Sequence, residues 1–249
     1  MKTKKLSIIM PVYNEENTLK HIIDKVLGIN WGLELELIIV NDCSKDRSAK
    51  ILESYSKDKH VTVITNPKNI GKSQTVKRGI AASTGDLVAI QDSDLEYEPE
   101  DLLKIVDIFR TRAVDAVYGN RFGKNNKIIY YSNWIGNRAL SLFSNLFTYA
   151  RARMWTSDME TCYKVIKGEI FRDIAATITS TTNFGLEPEI TAKLARYKVK
   201  DSKASRHIKF AQIPINYHPR TIAQGKKMKG VSDGFKALYE IIIYNIFNR

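Results

Sequence analysis

Short runs of aliphatic and β-branched residues alternate along the chain with stretches in which apolar positions recur every three to four residues. The runs Leu6 to Met10, Leu35 to Val40, Val61 to Thr65, Asp86 to Gln91 and Asp115 to Tyr118 predict strands. Between the first two, Leu19, Ile22, Ile23 and Val26 share one helical face. Ile51, Leu52 and Tyr55 mark a second helix, with Ser44 as its expected cap, and another is expected to start near Glu98. Such alternation predicts an α/β domain with a mostly parallel central sheet covered on both faces, and ligands gathering where strands end. A chain of 249 residues, 43% of them hydrophobic, can bury one such core.

The second half is less regular. Ile128 to Met154 and Leu186 to Tyr197 predict helices, and Phe235 to Phe247 is an apolar-rich helix candidate. On that last helix Phe235, Leu238, Ile242 and Ile246, with Ile243 and Phe247, make an amphipathic stripe. The expected organisation is one domain over residues 1–230, with halves 1–120 and 121–230, followed by an amphipathic helix over 231–249.

Charge sharpens this picture. The chain carries 39 basic and 27 acidic side chains, and residues 198–230 hold nine Lys or Arg against one acidic residue, Asp201. A localised positive segment suits an anionic partner, whether lipid, phosphorylated substrate or nucleic acid. Only Cys43 and Cys162 are present, without Cys/His clusters, so neither a disulfide framework nor a zinc site is indicated and a reducing, cytosolic setting is expected. His21, His60, His207 and His218 show no metal-ligand spacing. No window reaches the eighteen or so apolar residues of a membrane span, and Met1 to Met10 is too brief for a signal peptide; a soluble or peripherally attached protein is expected.

The chemistry-bearing residues fall at strand ends. The first strand runs into Pro11-Val12-Tyr13-Asn14-Glu15-Glu16, the second into Asn41-Asp42, and the fourth into Gln91-Asp92-Ser93-Asp94-Leu95-Glu96. A single Asp in such a place ordinarily caps the next helix, the plainer reading for Asp42 alone, but three carboxylate-bearing loops on one edge point to a site. Asp92 and Asp94, one residue apart, can point into one pocket, and two such carboxylates repel each other unless a cation joins them. Hard oxygen ligands suit Mg²⁺ or Mn²⁺, with a diphosphate completing the shell. The competing reading is an acidic surface turn.

The strings Pro11 to Glu16, Val40-Asn41-Asp42-Cys43-Ser44-Lys45-Asp46, Asn69-Ile70-Gly71-Lys72 and Asp92-Ser93-Asp94 resemble, in order and spacing, the nucleotide-binding half of family-two glycosyltransferases of the GT-A, Rossmann-like fold. Gly119-Asn120-Arg121-Phe122, Asp158 to Lys164 and Phe184 to Ile190 resemble the polyprenyl-phosphate sugar transferase branch, which includes dolichyl-phosphate mannose synthases. The resemblance covers residues 5 to 240. It implies that Pro11, Tyr13, Glu15, Asp42, Asn69, Gly71, Lys72, Gln91 and Asp92 bind a GDP- or UDP-linked sugar. Asp92, Asp94 and Glu96 would hold Mg²⁺ or Mn²⁺, Glu96 standing where many relatives carry Gln. Arg121, Arg138, Arg220, Lys226 and Lys227 would hold an acceptor phosphate, since guanidinium forks match phosphate oxygens in pairs. Where relatives continue Gly-Lys-Gly-Ala, this chain has Gly71-Lys72-Ser73-Gln74, bulkier residues that would narrow the donor site.

The catalytic set expected from these readings is Asp94, Asp158, Glu160, Arg121, Arg138 and Arg220. With a lipid-phosphate acceptor no general base is needed, and Asp158 and Glu160 would orient the sugar or an Arg; with a saccharide hydroxyl acceptor one of them would take the proton. Glu187 and Glu189 could serve the same way, although ion pairs with Lys193 or Arg196 are the ordinary explanation. The leading expectation is an inverting transferase acting on polyprenyl phosphate, peripheral on the cytoplasmic membrane face, with homo-oligomerisation possible and no nucleic-acid partner. The alternatives are a soluble family-two transferase in polysaccharide synthesis, or a non-catalytic basic module binding nucleic acid or membrane, which paired carboxylates in a basic groove argue against.

Overall fold

The computed structural model describes residues 3–182, 185–200, 204–221 and 231–247. The five predicted strands form as β1 (Lys5–Val12), β2 (Glu34–Asn41), β3 (Val61–Thr65), β4 (Leu87–Ile90) and β5 (Ala116–Asn120). They join β6 (Lys164–Lys167) and β9 (Phe210–Pro214) in one sheet of order β3-β2-β1-β4-β6-β5-β9, in which β6 alone runs antiparallel to its neighbours. The short hairpin β7 (Lys198–Lys200) and β8 (Ser205–His207) stands apart. β6 escapes the sequence pattern because only Val165 and Ile166, between two lysines, are apolar, and β9 because its apolar content is broken by Gln212 and Pro214.

The helices cover the sheet. α1 (Leu19–Gly28) buries the four residues its periodicity selects. α2 (Ser48–Glu53) starts later than expected: Cys43 takes a left-handed conformation, Ser44 Oγ instead accepts from Asn14 N–H, and Asp46 Oδ1 accepts the Ser48 N–H at 2.9 Å. Asp46, not Ser44, therefore supplies the cap contact, because the loop first turns back to lace with residues 14–16. α3 (Lys72–Ala82) lies so close on β1 and β2 that Gly79 leaves no room for a Cβ against Ile9. α4 (Pro99–Thr111), α5 (Tyr131–Ala152), α6 (Gly168–Ala176), α7 (Leu186–Arg196) and α8 (Val231–Ile246) complete the chain. α5, α7 and α8 pack on one another. No described helix is long and apolar enough to cross a membrane.

The strand directions fix two edges. The C-terminal ends of β1, β2, β4, β5 and β9 and the segment entering β6 all open on one edge. Every predicted site residue on a strand end falls there, while Glu36, Asp86 and Asp115 fall at or near the opposite edge.

Candidate active site

The β1 and β2 loops build the first wall from backbone contacts. Asn14 turns through a left-handed conformation, its Oδ1 accepts the Lys45 N–H at 2.8 Å, and Glu15 and Glu16 N–H donate to Ser48 and Asp46. Pro11 sits in β1 opposite Val40, with Tyr13 partly exposed beyond it. Asp42 is buried and its carboxylate accepts from Asn66 Nδ2 (2.8 Å), Ile70 N–H (2.9 Å) and Gly71 N–H (2.9 Å). Asn69 Nδ2 reaches the Asp42 carbonyl at 3.4 Å. Asp42 thus ties down the loop 66–71, whose end needs the left-handed φ of Gly71 to launch α3. Gln91 is internal too: it accepts from Tyr163 Oη at 2.6 Å and donates to the Asp92 carbonyl.

The carboxylates after β4 are separated by their cations. Lys72 Nζ, on the first turn of α3, lies 2.9 Å from Asp92 and 3.4 Å from Glu187 on α7. The guanidinium of Arg220 reaches Asp94 at 2.6 Å and Glu15 at 3.4 Å. Burial raises the Asp92 pKa, but Lys72 more than offsets this and holds it below the usual carboxylate range. Asp94 goes the other way, to about 7, through burial and the charges of Asp92 and Glu96, which outweigh Arg220.

Glu96, the third expected ligand, is engaged by partners of its own. Its side chain accepts from Tyr217 Oη (3.0 Å) and from the Arg220 N–H (2.8 Å), and no three His, Cys, Asp or Glu side chains among the described residues converge as a ligand set. Asp94 Oδ1 accepts the Glu96 N–H, closing a turn between them, and Arg220 lies near both carboxylates. Two carboxylates, the number that Asp92 and Asp94 supply, are what Mg²⁺ or Mn²⁺ ordinarily takes from protein, with phosphate oxygens and water completing its shell. The raised proton affinity of Asp94 marks a place where positive charge is in deficit.

The expected acceptor arginines differ from one another. Arg121 is largely covered and committed to Asp158, with Nε and Nη2 each 2.7 Å from the carboxylate, while its own N–H also donates to Asp158. Its guanidinium lies 5.9 Å from the Phe122 ring centre and 5.1 Å from that of Tyr217. Arg138 is exposed on α5, over Phe122 (5.6 Å) and Trp134 (5.0 Å). Beside it opens a cavity of about 350 Å³ lined by Trp134, Ile135, Arg138, Leu142 and Trp155, with Asn145 and Thr156 among its polar groups. Lys226 and Lys227 lie outside the described residues.

Asp158 is wholly buried, and both of its oxygens accept from Arg121. Glu160 Oε1 is shut off from solvent and without a hydrogen-bond partner among the described residues, and burial, followed by the charge of Glu187, raises its pKa to about 8. Glu189 is structural, accepting from Thr179 and Ser180 and pairing with Lys193 at 3.0 Å, as helical spacing suggested. Sequence reasoning missed Lys72 as a bridge, Glu187 as its second partner and the ring stack of Tyr97, Tyr163 and Tyr217. Lys72 and Glu187 carry local signals of their own, but the contacts join residues far apart in sequence, and nothing local marks which partner each one meets.

Comparison with known proteins agrees with this geometry. The profile of the family described as Glycosyl transferase family 2 matches residues 7–174. A dolichol-phosphate mannosyltransferase of Pyrococcus furiosus is 32% identical over 130 residues, 52% of this chain and 36% of that protein. An undecaprenyl-phosphate 4-deoxy-4-formamido-L-arabinose transferase of Proteus mirabilis is 38% identical over 156 residues, 61% of this chain and 46% of that protein. The chain thus spans between a third and a half of the length of these relatives. Among solved structures, glucosyl-3-phosphoglycerate synthase of Mycobacterium tuberculosis, in complex with Mn²⁺, UDP and glucosyl-3-phosphoglycerate, superposes with a TM-score of 0.69 at 15% identity, covering 97% of this chain and 80% of that one. That likeness establishes the α/β fold as GT-A.

Proposed function

Because the chain belongs to glycosyl transferase family 2, we propose that it moves a sugar from a nucleoside-diphosphate donor to a polyprenyl phosphate, with inversion at the sugar carbon. The observation that carries the acceptor reading is the ladder Arg121–Phe122–Arg138–Trp134, which leads from the buried Asp158 to an apolar cavity on α5. Cations beside apolar walls suit a phosphate joined to a hydrocarbon chain. Relatives named for dolichol phosphate and undecaprenyl phosphate support the same acceptor class.

In this reading the Pro11–Glu15 and Asn69–Lys72 loops hold the UDP or GDP moiety, and Asp92 and Asp94 hold Mg²⁺ or Mn²⁺. The cation supplies the positive charge that stabilises the departing diphosphate. Lys72 fixes Asp92, and Glu160 and Glu187 offer oxygens to sugar hydroxyls beside it. Asp158 positions Arg121, and Arg121 with Arg138 steers the acceptor phosphate. That phosphate is ionised at neutral pH, with a second pKa near ~6, so it attacks without a protein base. The full engagement of Asp158 by Arg121 favours this over attack by a saccharide hydroxyl. The implied setting is peripheral, at the cytoplasmic face of a membrane, with 1–230 as catalytic domain and the last helix packed against it.

The test supplies the chain with Mn²⁺, labelled UDP- and GDP-sugars, and either undecaprenyl phosphate in detergent or soluble saccharides. Label should enter the lipid. Arg138→Ala should reduce that transfer by roughly 10- to 100-fold, the loss of a charged hydrogen bond, and leave nucleotide binding unchanged. Label in the saccharide, undiminished in Arg138→Ala, would establish the hydroxyl-acceptor reading instead.

A further inference from the structure

Large apolar side chains exposed to solvent are concentrated in one part of this molecule. Of the eleven among the described residues, ten lie on α5, on Trp155 just after it, or on α8 and its end: Tyr131, Ile135, Leu142, Leu146, Tyr149 and Trp155, then Phe235, Tyr239, Ile246 and Phe247. They are 45–69% exposed, and the eleventh is Leu95. Scattered singly such residues need no explanation, but gathered on two packed helices they do.

On α5 they form a stripe. At about 100° per residue, Tyr131, Ile135, Leu142, Leu146 and Tyr149 fall within roughly 60° of arc, and Arg138 falls beside them. The stripe runs for about 27 Å at 1.5 Å per residue. The face that α5 buries is a different one, carrying the small polar residues Ser141, Ser144, Asn145 and Thr148. This inversion, with polar residues inward and large apolar ones outward, is opposite to that of a helix made only to cover a core. α8 buries Ala237, Ile241 and Tyr244 and leaves Phe235, Tyr239 and Ile246 outside, with Leu238, Ile242 and Ile243 half-buried.

Charge identifies the occupant. From Ala116 to Ser157 the sequence contains Arg121, Lys124, Lys127, Arg138, Arg151 and Arg153 and no Asp or Glu. Arg138, Arg151 and Arg153 on or at the end of α5 are exposed. A second copy of the chain meeting this face across a two-fold axis would bring like charges together. An anionic lipid surface instead takes the apolar side chains below its headgroups and the arginines among its phosphates.

We propose that the exposed stripe of α5, with α8 alongside, seats the protein on an anionic phospholipid bilayer, with α5 lying in the plane of the headgroups. Trp155, stacked edge-on against Tyr149 with ring centres 6.2 Å apart, and Tyr131 near the other end are amphipathic rings suited to that depth. The surface deepens the acceptor reading, because Arg138 and the cavity it lines belong to the same helix. An acceptor carried in the bilayer would reach Arg121 without its hydrocarbon chain leaving lipid.

Flotation with vesicles tests this on the full chain. Vesicles of phosphatidylcholine alone should retain little protein, whereas those with roughly a third phosphatidylglycerol should bind it, less so at about 0.5 M salt. Replacing Leu142→Ser and Leu146→Ser together should weaken binding by about tenfold or more, leaving the melting temperature and Mn²⁺–nucleotide binding unchanged. Replacing Phe235→Ser and Tyr239→Ser is the second variant, which tests α8 separately. Unchanged vesicle binding in the α5 variant would overturn the proposal. So would a concentration-dependent dimer that the same substitutions dissociate in the absence of vesicle binding. Because flotation requires no donor or acceptor, its outcome is separate from that of the transfer assay.

Discussion

The two edges of the central sheet carry carboxylates of opposite character. At the edge away from the site, burial works against Glu36 and Asp115, yet hydrogen bonds win. Ser7, Thr84 and Lys5 satisfy Glu36, and Arg206, Lys167 and the Lys209 N–H satisfy Asp115, so that both titrate near about 2. At the site edge Lys72 holds Asp92 low, but at Asp94 and Glu160 burial dominates and neighbouring carboxylates add to it, lifting them to about 7 and about 8. The first edge is electrostatically complete and stabilises the fold. The second is short of positive charge or of hydrogen-bond donors, as befits a surface that gains its partners from a ligand.

The sharpest way to break this comparison is to neutralise one carboxylate of the site edge. Asp94→Asn should lower kcat by about 10²- to 10³-fold through lost stabilisation of the leaving diphosphate. Folding stability should stay within about 1 kcal/mol, because relief from Asp92 and Glu96 balances the lost Arg220 contact. A collapse of stability in chemical denaturation would show that the two edges serve the same purpose.

Neutralising the opposite edge should do the reverse. Asp115→Asn should cost about 2 kcal/mol of stability at pH 7 and leave activity intact at temperatures well below unfolding. The sign follows from the depressed folded-state pKa of Asp115, from 3.8 to about 2, and Glu36 behaves alike, from 4.5 to about 2. The stabilisation is fully present above the unfolded values and is lost as pH falls toward about 2. Urea titrations of wild type and variant should therefore converge between pH 4 and 2. A constant difference across that range would assign the loss to packing instead.

The smallest expected effect concerns Arg220, the cation paired with Asp94. Arg220→Ala should bind Mn²⁺ alone about tenfold more tightly, as measured by titration of the free-Mn²⁺ resonance, since a guanidinium at 2.6 Å from Asp94 no longer competes. Weaker or unchanged Mn²⁺ binding would mean that Arg220 and the metal do not share Asp94.

Sequence by itself determined the parallel half of the sheet and the location of the chemistry. Continuous apolar runs are what strands buried on both faces require, and a loop that follows a strand lies at a known edge, so Asp92 and Asp94 could be placed from local order alone. The helical spacing of Leu19, Ile22, Ile23 and Val26 likewise named a buried face correctly. Tertiary structure decided what each side chain is committed to. Asp42 serves its own loop, Asp158 immobilises Arg121, Glu96 turns to Tyr217 and Arg220, and Glu187 shares Lys72 with Asp92 across 115 residues of sequence. Hydrogen bonds and ion pairs of that range depend on where the chain returns after crossing the sheet, and a periodicity summed over ten residues carries no information about that return. The outward stripe of α5 was hidden for a related reason: an apolar helical face has the same pattern whether it meets a core, a second subunit or lipid, and only the packed structure shows which face was left uncovered.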